Sequence, residues 1–178
     1  TTVAAMLRAM NENVQRHILT IEDPVEYLHE DKQCLIQQRA IGEDAESFGS
    51  ALKYVVRQSP DVIVIGEMRD AESFNFALSA AEVGRLVIST VHAQSASQVF
   101  DRVLGFFPPS ERDAALRYFA VNISCIMIQK LLVAKDGKTL VPAAEVLLGN
   151  YTIKQLILDK KIAKLPQAIR NAREEGMQ

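Results

Sequence analysis

Apolar and polar residues follow two periods along the chain, one typical of strands and one typical of helices. Four short apolar runs with β-branched residues predict strands: HILTI (17–21), CLIQ (34–37), VIVIG (62–66) and RLVIST (85–90). Helical spacing follows in three segments, the first with an apolar face of Phe48, Ala51, Leu52, Val55 and Val56, the others starting at Phe74 and Ala96. This alternation predicts an α/β fold, with βαβ units around a mostly parallel sheet.

The remainder of the chain predicts a helix, a hairpin and two further helices. Ser110 follows two prolines and is placed to cap a helix that carries Ala115 to Ile123. The segment QKLLVAKDGKTLVPAAEVLL (129–148) is typical of a hairpin, with Asp136-Gly137 at the turn and Pro142 confining the second strand to a sheet edge. After it, apolar residues at helical spacing predict two short helices.

A five-residue repeat, DAESF, occurs at residues 44–48 and 70–74. An aspartate followed by an acidic residue and a first core residue is typical of a helix start. The repeat therefore predicts Asp44 and Asp70 as two N-caps and not a duplicated site.

Composition narrows the class of protein. With 178 residues, 48% hydrophobic and 24% charged, the chain is the size of one ordinary domain and can bury a core. A net charge of −2 argues against nucleic acid as the main partner. No apolar run is long enough for a membrane span and no signal-peptide pattern is present, which predicts a cytoplasmic protein without membrane insertion. Cys34 and Cys125 are predicted to be buried thiols, in preference to a disulfide or half of a metal site.

Acidic residues follow two of the predicted strands. Glu67 comes directly after VIVIG, and Glu22, Asp23 and Glu26 come after HILTI. In an open α/β sheet the ligand binds beyond the carboxyl ends of the strands. Carboxylates at neighbouring strand ends repel each other unless a cation lies between them, and Mg²⁺ needs only a few carboxylates. The sequence therefore predicts a magnesium ion between these two groups of strand-end carboxylates.

A third strand end adds a histidine, because LVIST is followed by Val91 and His92. An imidazole there can donate a hydrogen bond to a phosphate oxygen. Taken singly, such a histidine is more often a surface-loop residue, and such a glutamate is as often an acid near a helix start. Three strand ends that carry polar groups favour a site. No G-x-x-x-x-G-K-[ST] motif occurs, and the opening TTVAAMLRAMN has the pattern of a helix that follows such a phosphate-binding loop.

Three segments resemble motifs of the secretion ATPase superfamily. TIEDPVEY (20–27) resembles its aspartate box, SPDVIVIGEMRD (59–70) its Walker B motif with Glu in place of Asp, and GRLVISTVHAQSA (84–96) its histidine box. With AAEVG (80–84) and FFP (106–108), the chain resembles the type IV pilus retraction motors, the PilT/PilU group, almost from end to end.

The resemblance implies a RecA-like P-loop NTPase core at residues 1–149 and the start of a C-terminal helical region at residues 150–178. In those relatives the helix that matches TTVAAM follows the Walker A loop, so this chain is expected to begin just after its P-loop, without the N-terminal PAS-like domain. EEGMQ (174–178) resembles an internal stretch of the family. ATP and Mg²⁺ are the implied cofactors, and the residues present are expected to bind ATP feebly.

The resemblance also implies roles for single residues. Glu22 and Glu67 would hold Mg²⁺ and orient the attacking water, and His92 would contact the γ-phosphate region. Two arginines are candidate charge stabilisers, in cis or toward a neighbouring subunit, or else form ordinary surface ion pairs. The implied nucleotide-binding residues are Thr1, Thr2, Asp23, Glu26, Arg69 and Arg85. Arg85 departs from the family, which usually carries a histidine at that position.

The function implied is an ATP-hydrolysing motor subunit that drives type IV pilus retraction, as a homo-hexamer acting through an inner-membrane platform protein. One alternative is a pilus-assembly or type II secretion ATPase, although these relatives usually carry a four-cysteine zinc module that two cysteines cannot build. Another is a binding module without catalysis. TIKQLI (152–157) stands where retraction motors often carry AIRNLI, so the PilT-like or PilU-like subtype stays open.

Overall fold

The computed structural model describes residues 1–178 except for the side chain of Val56, so the inward placement predicted for Val56 lies outside the described part. The chain divides into two compact units, Thr1–Val91 and His92–Gln178. The boundary between the two units, after Val91, lies well before residue 149. The domain boundary that the family resemblance implies after residue 149 stays a prediction.

The first unit contains a four-stranded sheet with the strand order β2-β1-β3-β4, in which every neighbouring pair is parallel. Each strand overlaps a predicted apolar run: β1 (His17–Glu22), β2 (Leu35–Ala40), β3 (Val62–Ile65) and β4 (Leu86–Ser89). β2 continues three residues past its predicted run at 34–37. All four residues of β3 are buried, because this interior strand is covered on both faces. Burial on both faces explains why the run is continuously apolar.

Helices cover both faces of this sheet: α1 (Thr2–Asn13), α2 (Phe48–Val55) and α3 (Ala71–Glu82), with a 3₁₀ turn at Val56–Gln58. Side chains alternate between the faces along each strand. One core joins α2 and α3 to Leu19, Ile21, Ile63 and Ile65. A second core joins Leu7 of α1 to Ile18, Ile36, Val62 and Val64.

The chain connections set the direction of these helices. Asn13 at the end of α1 is followed after three residues by the start of β1, and α3 starts where the chain has just left β3. A helix that links parallel strands must return from the carboxyl edge of the sheet to the amino edge. The N-termini of α1 and α3 therefore lie at the carboxyl edge, where candidate ligand-binding groups were predicted.

The second unit contains the predicted hairpin and four helices: α4 (Ala96–Leu104), α5 (Arg112–Asn122), β5 (Cys125–Val133), β6 (Leu140–Leu148), α6 (Tyr151–Leu158) and α7 (Leu165–Asn171). Its fully buried side chains include Phe100, Leu147, Ile157 and Leu165. The rings of Phe100 and Phe119 pack with centroids 5.2 Å apart. No helix in the described part of either unit is both long and apolar enough to cross a membrane.

The outer edge of β6 carries a further backbone pair. Val146 donates its N–H to the carbonyl of Gln178 at 2.6 Å, and Gln178 donates back to Val146 at 3.2 Å. The backbone groups of Val146 thus face away from β5, and by alternation those of Ala144, Pro142 and Leu140 face outward too. The missing N–H of Pro142 falls on this outer side, which confirms the edge position predicted for it.

One of the three predicted helix caps is present. Asp70 accepts a hydrogen bond from the Ser73 N–H at 2.7 Å and caps α3 as predicted. The prediction for Asp44 is wrong, because its carboxylate accepts from the Ala40 N–H at 2.8 Å in the turn after β2. The prediction for Ser110 is also wrong, because α5 begins at Arg112 with Glu111 at the N-cap position.

The two cysteines differ in burial. Cys34 is buried as predicted, and its thiol donates to the Val14 carbonyl at 3.0 Å. The burial predicted for Cys125 is wrong, because alternation along β5 turns Ile126 inward and Cys125 outward. Desolvation by its surroundings raises the pKa of the Cys125 thiol. Both thiols are free, as predicted.

Gly149→Ala is expected to destabilise the chain by roughly 1–3 kcal/mol, because an added methyl group would overlap the backbone carbonyl of Ile123. Gly49→Ala is the matched control. Its methyl group would meet only the carboxylate of Glu72, 2.6 Å away at the end of a flexible side chain. Urea unfolding followed by circular dichroism measures both effects. Equal stability of the two variants would contradict the close approach at Gly149.

Candidate functional site

The ends of β1 and β3 are packed together at the carboxyl edge of the sheet. Glu22 is the last residue of β1, and Glu67 stands two residues beyond the end of β3. Gly66 donates its N–H to the Ile21 carbonyl at 2.8 Å, and a Cβ atom on Gly66 would lie 3.3 Å from the Glu22 Cα. The glycine therefore permits the close approach of the two segments that carry these carboxylates.

Glu22 is half-buried and is held by two neutral donors. Thr20 Oγ1 donates to Glu22 Oε1 at 2.7 Å, and Gln38 Nε2 donates to the same oxygen at 3.3 Å. Thr20 and Gln38 are register partners on β1 and β2. Neither bond neutralises the charge of Glu22, so the carboxylate is fixed in place and still able to attract a cation.

Glu67 is paired with a cation from its own chain. Arg69 Nε donates to Glu67 Oε2 at 2.6 Å, and Arg69 Nη1 lies 3.3 Å from Asp23 Oδ2. The hydrogen bond and charge of Glu67, helped by Asp23, raise the pKa of the Arg69 guanidinium. The guanidinium thus bridges the acids that follow β1 and β3. The sequence predicts a metal because the carboxylates at these two strand ends should repel each other. In the structure, the positive charge of Arg69 relieves the repulsion between Asp23 and Glu67.

The metal prediction then depends on which carboxylates can reach a cation. No group of three or more His, Cys, Asp or Glu side chains in the described part of the chain is arranged to hold a metal ion. Mg²⁺ needs only one or two carboxylates when water and phosphate complete its shell. Glu22 fits that use because its bonded partners are neutral, whereas Glu67 would have to exchange Arg69 for the metal.

The start of α1 meets the loop that follows β1. The hydroxyl oxygens of Thr1 and Tyr27 are 3.1 Å apart, and Thr2 begins the helix. Backbone N–H groups in the first turn of a helix have no intrahelical partners and favour anions. Glu26 is exposed on the same loop. Thr1 and Thr2 therefore lie at the edge of the sheet that carries Glu22, Asp23 and Glu67.

The chain after β4 is tied to the same edge. Thr90 Oγ1 donates to the Gly66 carbonyl at 2.6 Å, and the Met68 N–H donates to the Thr90 carbonyl at 2.9 Å. His92 follows two residues later, is exposed and begins the second unit. Its contact with a γ-phosphate stays a prediction.

Arg85 lies elsewhere in the first unit. It directly precedes β4, and its N–H donates to the Ala80 carbonyl at 3.1 Å. That position is at the amino edge of the parallel sheet, opposite the edge that carries Glu22 and Glu67. A role for Arg85 toward a neighbouring copy of the chain stays a prediction.

Sequence reasoning missed Gln38. Gln38 lies one residue past the predicted strand CLIQ (34–37), and the structure extends β2 to Ala40 and sets Gln38 beside the fully buried Thr20 of β1. Buried polar groups need partners. A polar pair at the end of an apolar strand therefore indicates a network around the neighbouring carboxylate.

Comparison with known proteins finds that the chain is similar to secretion and pilus proteins. The family model of the type II/IV secretion system proteins matches residues 1–168. A twitching motility protein of Neisseria gonorrhoeae is 39% identical over 178 residues, covering 100% of this chain and 48% of the relative. The type IV pilus retraction ATPase PilT of Pseudomonas aeruginosa is 41% identical over 178 residues, covering 100% of this chain and 52% of the relative.

A solved structure shows the same fold. The crystal structure of the pilus retraction motor PilT with bound ADP matches with a TM-score of 0.86 and 35% identity, over 100% of this chain and 54% of that one. The match confirms the predicted α/β class, with a mostly parallel sheet, an antiparallel hairpin and C-terminal helices. The chain spans about half the length of the curated relatives it matches.

Proposed function

Because the chain belongs to the type II/IV secretion system protein family, we propose that it is part of an ATP-hydrolysing motor that drives type IV pilus retraction. The observation that carries this proposal is the carboxyl edge of the first sheet. There, Glu22 ends β1 and Glu67 follows the end of the neighbouring β3, at the edge where α1 starts. The similarity to a retraction ATPase of Pseudomonas aeruginosa gives the class of motor.

The proposed ligand is ATP with Mg²⁺. ADP is bound in the structure of the similar retraction motor. In this chain, the first turn of α1 with Thr1 and Thr2 would face the phosphates, because its N–H groups and helix dipole favour negative charge. Glu22 would hold the metal, with Glu67 as a second carboxylate. When bound, Mg²⁺ would neutralise charge on the phosphate oxygens.

Phosphoryl transfer depends mainly on positioning and on neutralising charge. We assign to Glu67 the orientation of the attacking water, because its carboxylate can accept a proton of that water. Arg69 is paired with Glu67 at 2.6 Å. Once Glu67 exchanges Arg69 for the metal, the guanidinium would add positive charge beside the reacting phosphate. His92 would donate a hydrogen bond to the terminal phosphate. Asp23 and Glu26 would shape the same edge of the nucleotide site.

The proposed assembly is a homo-hexamer in the cytoplasm, at the inner face of the membrane, that acts on a platform protein of the pilus. In that arrangement the amino edge of the sheet could meet the site of a neighbouring copy. Arg85 lies at that edge and would then act in trans.

Two measurements on the full-length gene product test the proposed function. The first is magnesium-dependent ATP hydrolysis. The second is twitching of a Pseudomonas aeruginosa strain that lacks its retraction ATPase and carries this gene in its place. Hydrolysis together with restored twitching supports a retraction motor. Hydrolysis with pilus assembly and no retraction would indicate an assembly ATPase, and nucleotide binding without hydrolysis would indicate a binding module.

A further inference from the structure

Gln38 uses both ends of its side-chain amide at the candidate site. Its Nε2 group donates to Glu22 Oε1 at 3.3 Å and to the Tyr27 carbonyl at 2.8 Å. Its Oε1 atom accepts from the His29 N–H at 2.8 Å. One half-buried side chain on β2 therefore joins a carboxylate at the end of β1 to two backbone groups of the loop that follows.

We propose that Gln38 is a positioning residue that holds Glu22 and the loop at residues 23–34 in a fixed relation to each other and to the start of α1. The proposal rests on the proposed function, in which Glu22 holds the metal. Nothing in the sequence motifs assigns a role to Gln38.

Two side chains from outside the loop, Gln38 and Asn11, form hydrogen bonds with its backbone. Asn11 of α1 holds the second half, since its Oδ1 accepts from the N–H groups of Lys32 and Cys34 and its Nδ2 donates to the Glu30 carbonyl at 2.7 Å. Gln38 holds the first half at Tyr27 and His29. Tyr27 in turn meets Thr1. Loss of Gln38 would free the half of the loop that faces the start of α1 and leave the Asn11 contacts in place.

The second effect of Gln38 is on the carboxylate itself. The terminal torsion of a glutamate is broad, so a single hydrogen bond leaves the carboxylate plane free to turn. Thr20 and Gln38 both donate to Oε1 from adjacent strands, which leaves one orientation for the carboxylate. A misplacement of about 1 Å in a catalytic group can cost about 10²-fold in rate. Loss of this orientation is therefore expected to lower kcat more than it raises KM.

Gln38→Glu is the sharpest variant because it has the shape of the native side chain. It keeps the acceptor for the His29 N–H and replaces the donor with an oxygen that repels Glu22 and the Tyr27 carbonyl. Gln37→Glu is the matched control, with the same charge change on the next residue of β2. Gln37 is exposed, and its Oε1 lies 3.1 Å from His17 Nε2 at the start of β1. Gln38→Met removes all three hydrogen bonds without adding charge and serves if the charged variant does not fold.

The first readout is amide hydrogen exchange of the 178-residue chain, followed by NMR. Exchange of the His29 amide is expected to quicken about tenfold or more in Gln38→Met, which removes the acceptor of this N–H, because local opening controls exchange. The Lys32 and Cys34 amides, which Asn11 holds, are expected to keep their protection. Gln37→Glu should match the unmodified chain at all three positions. Unchanged exchange at His29 in Gln38→Met would overturn the proposal.

The second readout is ATP hydrolysis by the full-length gene product. We expect the Gln38 variants to lower kcat by about 10–100-fold with KM for ATP within about threefold, and Gln37→Glu to change neither. A rise in KM with kcat unchanged would contradict a positioning role toward Glu22. If the unmodified product does not hydrolyse ATP, the proposed function fails. The exchange measurement then still decides whether Gln38 holds the loop.

Discussion

Glu67→Gln is expected to lower ATP hydrolysis by the full-length gene product about 10²–10³-fold, while nucleotide affinity changes by less than about threefold. The amide keeps the shape of the side chain and removes the charge that would orient water. It also removes the 2.6 Å ion pair with Arg69, which can still contact Asp23. Affinity should change little because, in the proposed site, the first turn of α1 and not Glu67 would hold the phosphates.

Glu82→Gln is the control for this charge change. Glu82 is the last residue of α3, is exposed and lies at the amino edge of the sheet. Steady-state hydrolysis and fluorescent-nucleotide binding measure the two quantities separately. Parental turnover in Glu67→Gln would reduce Glu67 to the partner of a surface ion pair.

We expect His92→Ala to depress ATP turnover about 10²–10³-fold and to abolish twitching, with nucleotide affinity held within a few-fold. In the proposed site, the substitution would remove a donor to the terminal phosphate, which would matter most where charge develops in the transition state. His92 is exposed, so the core does not depend on it. Hydrolysis and surface motility of the same variant measure both consequences.

Arg85→Ala is the comparison for His92→Ala. Arg85 lies at the amino edge of the sheet, so within one copy of the chain its loss should affect turnover less. A large effect of Arg85→Ala that is absent from dissociated subunits would place it in trans. Equal and small effects of the two substitutions would indicate that His92 is an ordinary surface-loop residue.

The parts of the fold that the sequence predicts are those set by burial. VIVI is a strand buried at every position, and its apolar run leaves few alternatives. The position of the turn at Asp136-Gly137 was also predictable, because tight hairpin turns need a residue with positive φ and glycine adopts one without strain. Gly137 has φ +70°. Strand ends follow from strand positions, so the carboxyl-edge placement of Glu22 and Glu67 was predictable too.

The parts that the sequence did not predict depend on competing local bonds. Asp44 and Asp70 are followed by the same four residues, AESF. The carboxylate of Asp44 nevertheless accepts a hydrogen bond from the Ala40 N–H at the end of β2 and does not cap a helix. Arg69 could not be assigned as the bridging cation, because Asp23 is distant in sequence and meets it only through strand pairing. Gln38 was missed for a similar reason, since its partners lie on the adjacent strand and the loop after it.

The hairpin of the second unit exposes apolar side chains along its far half, among them Leu131, Leu132, Val133 and Leu140. A ribbon of this kind is a hazard for strand-to-strand aggregation if a foreign strand can add to its rim. On the β6 rim, the outward N–H of Val146 is occupied by Gln178, and Pro142 has none to offer. An added strand would meet an interrupted ladder there. Strand addition along β6 is therefore weakened at Val146 and Pro142, and self-association is expected to depend more on the side-chain faces, which sequence changes at Leu140 or Val141 can tune without altering the backbone.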